Sequence, residues 1–249
     1  MSARVLLIED DASIARFIGL ALEELPGHDP AAPSIALHLV RHVAEAREAL
    51  ALGGWQLVIS DLMLPDGSAE TLLTEGFALA AGAPPWIIFS AGVHSDRHLS
   101  LAARGVARTL RKPVPLAELL DTVAELLRPG AAAAAPAPQL SAPVVVDPVQ
   151  QHFGGDRELF ESFRASCIER FSDDLMQGDG AVATGDTAVL CRVAHALKAV
   201  LEMIGQPALA GQARALELAT TDGTLGAPER AAWGGLADGL VALGARRRG

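Results

Sequence analysis

The feature that most constrains this chain is an alternation along its first half. Short apolar runs, each the length of one buried strand, occupy Val5–Ile8, Ile35–Val40, Trp55–Ser60, Trp86–Ser90 and Val106–Leu110. Between and after them, Ser13–Leu25, Val43–Leu52, Ser68–Ala81, Asp96–Ala103 and Leu116–Leu127 carry apolar residues at helical spacing. Such alternation predicts an α/β doubly wound domain: a parallel five-stranded sheet with helices on both faces. In that architecture ligands gather at the carboxyl ends of the strands. The residues that fall there are Glu9, Asp10 and Asp11, then Asp61, then Ser90, then Lys112.

The pattern breaks at residue 129. Pro129 to Pro143 is built from Ala, Pro and Gly, which predicts an extended, semi-rigid linker. Beyond it only helical spacing remains, over Pro148–Phe153, Arg157–Met176, Thr187–Ile204, Pro207–Ala219 and Pro228–Leu243. Asp156 and Asp186 suit N-cap positions, and Pro207 and Pro228 suit first turns. Four substantial helices with short connections predict an all-α four-helix bundle. The expected organisation is therefore residues 1–128, a linker over 129–143, and a helical domain over 144–249.

Composition narrows the function. A net charge of -10 argues against nucleic acid or an anionic membrane as partner. Two cysteines, Cys167 and Cys191, stand in no metal spacing and fit a reducing compartment. The start turns acidic at Glu9 before a signal-peptide core could form, and no apolar run reaches membrane-spanning length. The expectation is a soluble cytoplasmic protein with no direct membrane insertion.

Carboxylates converging at strand ends repel one another unless a cation sits among them, and oxygen ligands select a hard ion such as Mg2+. Asp61 is then a candidate nucleophile toward phosphorus, giving an acyl phosphate whose phosphoryl group can move on. The charge developing on that group needs fixed partners, which Mg2+, Lys112 and the Ser90 hydroxyl would supply. The stretches Val5-Leu-Leu-Ile-Glu-Asp-Asp11, Leu57-Val-Ile-Ser-Asp-Leu-Met-Leu-Pro-Asp-Gly67, Ile87-Ile-Phe-Ser-Ala91 and Lys112-Pro113 resemble the response-regulator receivers of two-component signalling. The resemblance covers residues 1 to 128 and implies a flavodoxin-like fold with Asp61 as phosphoacceptor. It further implies that Glu9, Asp10, Asp61 and the backbone carbonyl of Met63 hold Mg2+. Ser90 takes the switching hydroxyl role, Lys112 contacts the phosphate, and the Lys112–Pro113 peptide is commonly cis in such proteins. Asp11 is either outer-shell or solvated. One departure concerns output: Thr109 stands where many receivers carry an aromatic reporter, three positions before the lysine. A second is the connection Pro26–Ser34, longer than usual and read as a surface insertion.

On the helix Thr187–Ile204, Val189, Val193, Leu197, Val200 and Ile204 form a core stripe at three- and four-residue steps. His195 falls on roughly the opposite side, with Cys191, Lys198 and Glu202 on its face. An exposed imidazole beside a cation is expected, a nucleophile near neutral pH. The pattern Ala183-Thr-Gly-Asp186, His195-Ala-Leu-Lys198, Gly205, Leu209 and Leu216-Glu217 resembles a histidine phosphotransfer (HPt) domain. That resemblance implies His195 as the phosphorylated residue and Lys198 as its supporting cation. It departs at Ala199, where such domains usually carry Gly.

Together these readings imply a phosphorelay protein rather than a metabolic enzyme. A sensor histidine kinase would phosphorylate Asp61, and His195 would pass the group to a receiver on another protein. The alternatives are a phosphate sink, in which His195 returns its group to Asp61, and an adaptor whose affinity phosphorylation tunes.

Overall fold

Beyond the exposed Arg4, strand β1 (Ala3–Ile8) is apolar on both faces, and Val5 through Ile8 are completely buried. A strand covered by helices on both sides has no polar face to present, so its sequence runs rather than alternates. The same holds for β3 (Leu57–Asp61), which lies beside it. The computed structural model describes residues 2–90, 95–128, 147–221, 223 and 225–247. With β2 (Ile35–Val40), β6 (Trp86–Ser90) and β7 (Val106–Arg111), these strands form a parallel sheet in the order β2-β1-β3-β6-β7. The short strands β4 (Met63–Leu64) and β5 (Gly67–Ser68) form a separate antiparallel hairpin directly after β3. The helices are α1 (Ala12–Glu23), α2 (Leu25–His28), α3 (Val43–Leu52), α4 (Glu70–Thr74), α5 (Ser95–Ala103) and α6 (Leu116–Leu127).

Three local features differ from expectation. The helix expected over Ser68–Ala81 is only Glu70–Thr74, because Gly76 at φ 89° turns the chain out of helical geometry. Its first residues are instead taken by the hairpin. The surface insertion contains a helical turn of its own, α2, whose His28 Nε2 lies 2.7 Å from Asp121 Oδ1 on α6. Asp11 is more than solvated: its Oδ1 accepts the Ser13 and Ile14 amides at 2.7 and 2.9 Å and caps α1.

By its contacts the chain divides into two units, Met1–Val146 and Asp147–Gly249. The expected linker, 129–143, lies outside the described residues. The second unit contains α7 (Pro148–Phe153), α8 (Arg157–Thr184), α9 (Thr187–Met203), α10 (Pro207–Thr220) and α11 (Ala227–Ala242). Asp156 and Asp186 cap α8 and α9 through the Leu159 and Val189 amides, at 2.9 and 3.0 Å. Helix α8 packs on α9, α9 on α10, α10 on α11, and α11 returns to α8, a helical bundle with α7 lying against α8 and α9.

Helix α8 runs past the expected end at Met176, through Gly178 and Gly180, to Thr184. Glycine disfavours a helix interior by about 1 kcal/mol relative to alanine. At Gly178 the reason for it is contact: a Cβ there would collide with the Trp233 ring of α11. The indole Nε1 then donates to Asp179 Oδ1 at 2.8 Å. A matching notch lies on the other side of α11, where a Cβ on Gly239 would collide with Leu209 of α10.

Two outcomes follow from this packing. Gly178→Ala should lower the stability of the helical unit by about 1–3 kcal/mol, read from urea denaturation, because Trp233 must move. His152 of α7 is buried with its Nδ1 unpartnered, and burial pulls its pKa down from 6.5 to about 4. Between those values the unfolded chain binds the extra proton and the folded one does not. This contribution is intact above pH 6.5 and is lost as the pH falls toward 4. Replacing His152 with Phe should flatten that part of the stability–pH curve.

Candidate functional site

Strand register decides what meets at the carboxyl edge of the sheet. Ile8 pairs with Ser60 and Asp61 with Phe89, so Glu9 and Asp61 leave adjacent strands at one level. Lys112 follows β7 on the far side of β6, and its long side chain spans the gap. Its Nζ donates to Glu9 Oε2 and to Asp61 Oδ2, both at 2.8 Å, and all three side chains are buried. The second Asp61 oxygen, Oδ1, accepts the Leu62 amide at 2.6 Å. Asp10 completes the group: ligand oxygens of Glu9, Asp10 and Asp61 lie within 4.8 Å of one another.

One ammonium among three carboxylates leaves negative charge in excess. Burial, with Asp61 and Asp11 nearby and against the pull of Lys112, pushes Glu9 up to about 8. Burial also pushes Asp10 up, helped by Asp61 and Asp11. Burial works against the Lys112 ammonium, but Asp61 and Glu9 more than reverse this and keep it charged. A hard divalent cation would relieve the excess, and the donor set, all oxygen, fits Mg2+ rather than a soft metal. The exposed Met63 follows Asp61 by two residues and opens the hairpin. Ser90 ends β6 opposite Arg111, but its side chain lies outside the described residues. The Lys112–Pro113 peptide is cis.

In the helical unit, Glu217 of α10 joins the two residues singled out on α9. Its Oε1 lies 2.6 Å from His195 Nδ1, and its Oε2 accepts from Lys198 Nζ at 2.6 Å. The expectation of an exposed imidazole beside a cation is corrected in its first part: the ring is only partly exposed. His195 keeps 26% of its side-chain exposure, and Lys198 is buried against Glu217. Burial pushes the Glu217 carboxyl up, yet the hydrogen bonds from His195 and Lys198 outweigh it and hold it at about 2. An anion on Nδ1 favours the tautomer with the proton there, which leaves the Nε2 lone pair on the opposite side of the ring. The core stripe holds at Val193, Leu197, Val200 and Ile204, while Val189 is only half-buried.

Comparison with known proteins bears on the first unit. The chain is 32% identical over 155 residues to the swarming motility regulation protein RssB of Serratia marcescens, a stretch covering 62% of this chain. The chain spans 66% of that relative's length, just under two thirds. The N-terminal unit is similar to the receiver domains of response regulators. Similar solved structures include a two-component response regulator from Clostridium difficile, at 21% identity and a TM-score of 0.44, covering 51% of this chain and 96% of that one. The receiver domain of Francisella response regulator 1452, at 25% identity and 0.44, covers 51% and 97%. The chemotaxis response regulator CheY4 of Vibrio cholerae, at 18% and 0.44, covers 51% and 100%. No family model matches the chain.

The sheet edge brings together Glu9, Asp10, Asp61 and Lys112, as their places at strand ends led us to expect. Among the described residues no helix is long and apolar enough to cross a membrane. Sequence reasoning did not identify what Glu217 does. The signal was present, since an acid at the end of Leu216-Glu217 lies on the helix that packs most closely on α9. Replacing Glu217 with Ala should remove the tautomer preference: nitrogen NMR of His195 should show Nε2 unprotonated in the wild type and mixed forms in the variant.

Proposed function

We propose that this protein is a phosphorelay component in which Asp61 accepts a phosphoryl group from a sensor histidine kinase and His195 passes it to a receiver on another protein. The observation that carries the proposal is the double hydrogen bond of Lys112 to Glu9 and Asp61 at the sheet edge. It holds one Asp61 oxygen next to a fixed positive charge within an acidic, cation-seeking pocket.

Glu9, Asp10, Asp61 and the carbonyl of Met63 would hold Mg2+, which when bound draws the phosphoryl oxygens in and offsets their charge. A carboxylate oxygen of Asp61 attacks phosphorus as the donor's nitrogen–phosphorus bond breaks, and the donor imidazole departs. Lys112 exchanges its contact with Asp61 for one with the phosphoryl oxygens, and the Ser90 hydroxyl takes the switching role. In the second step His195 Nε2 attacks phosphorus and the bond to Asp61 breaks, returning the carboxylate. Glu217 orients the ring and keeps the proton on Nδ1. Lys198, already beside the histidine, lies close enough to answer the new negative charge.

The helical unit acts on this reading as a four-helix HPt domain spanning residues 144–249, after a receiver over 1–128 and a linker over 129–143. The bundle contacts and the histidine on the α9–α10 face support it. Thr109, opposite Ile88 in the β6–β7 register, favours passing the group on over driving an aromatic switch.

The relay is tested with a purified kinase, labelled phosphoryl donor and Mg2+. Label should enter the wild-type chain and not Asp61→Asn, and should reach a partner receiver only when His195 is intact. Undiminished delivery by His195→Gln would refute the order of transfer. Faster loss of label from His195 when Asp61 is present, with none reaching a partner, would mark a phosphate sink instead. Partner binding that survives both substitutions together would mark an adaptor.

A further inference from the structure

The hairpin after Asp61 is fastened to a helix that contributes no residue to the pocket. Helix α3 has no side-chain cap of its own, since His42 at its N-cap position makes no capping hydrogen bond. Asp66, in the turn between β4 and β5, supplies the cap from 23 residues downstream: Oδ1 accepts the Val43 amide at 2.7 Å and Oδ2 the Ala44 amide at 3.0 Å. Burial pushes the Asp66 carboxyl up, but these amides outweigh it and hold it below its ordinary value. Leu64, on the strand that enters the same turn, is buried in a core it shares with Val43, Ala46 and Leu50 of α3. At the other end of the segment, Leu62 donates to Asp61 Oδ1 and accepts the Ala69 amide at 3.0 Å. Met63 is thus suspended between two anchors, with its own side chain in solvent.

We infer that Asp66 is a positioning residue for the cation: by clamping the hairpin to the start of α3 it sets where the Met63 backbone stands relative to Asp61. The inference rests on the reading of the acidic pocket as a Mg2+ site. A carbonyl ligand is only as well placed as the loop that carries it, and this loop has two residues on each strand. Without Asp66, the polar half of its attachment to α3 is gone, leaving the apolar packing to which Leu64 belongs. Mg2+ tolerates little deviation from its preferred geometry, so loosening the carbonyl weakens binding.

The test is titration of the nitrogen-labelled full chain with MgCl2, read from the Leu62 and Met63 amide shifts. Asp66→Ala should bind Mg2+ about tenfold more weakly. Asp66→Asn keeps one acceptor oxygen and should fall between Ala and wild type; it carries the comparison alone if the alanine variant does not fold. Glu48→Gly, exposed in the interior of α3, weakens the helix without touching the hairpin and should keep wild-type affinity. Unchanged affinity in the Asp66 variants overturns the inference, as does equal weakening by Glu48→Gly, which would reduce Asp66 to a helix cap. Failure of the wild type to respond to Mg2+ would overturn the cation reading itself, before any substitution is compared.

Discussion

The N-terminal unit is organised around a single ammonium group. Lys112 follows the last strand of the sheet and bonds to carboxylates at the ends of two others, with β6 between them. Each partner is buried, so the arrangement holds only if every strand keeps its register; a slip of one residue would turn Asp61 to the other face of the sheet. A buried charge deprived of its partner typically costs about 3–5 kcal/mol. The pocket is therefore also a constraint on the fold, and its shortage of positive charge is what makes it receptive to a cation.

The helical unit solves a related problem with the opposite charge. Here one carboxylate, Glu217, answers two basic groups, and it comes from a different helix than they do. Contact between α9 and α10 is thus part of the chemistry: the imidazole is oriented only while the two helices stay together. In both units a lone ion bonds simultaneously to two side chains, and in both it reaches them across an element boundary.

Much of this was legible in the sequence because strand ends and helix caps are local signals. Glu9, Asp10, Asp61 and Lys112 each follow an apolar run, and a parallel sheet must bring such positions to one edge. Asp156 and Asp186 precede helical spacing and cap it. Asp66, Glu217 and Gly178 were not legible in the same way, since each takes its meaning from a residue far along the chain. Asp66 reaches back to Val43, Glu217 to His195, and Gly178 leaves room for Trp233. Local rules misjudged two lengths for the same reason. Gly76 ends α4 early, while Gly178, equally unfavourable to a helix by propensity, is carried through α8 by a tertiary contact.

The glycine notches give the bundle a property that helix packing alone does not. Of the three glycines on α11, Gly234 and Gly235 face open space, while Gly239 lies at a helix contact. Trp233 seated over Gly178 on one side, and Leu209 seated over Gly239 on the other, act as detents. They index α11 to one axial offset against α8 and one against α10. Because α10 carries Glu217, the seat of α11 against α10 bears on the height of the carboxylate beside His195.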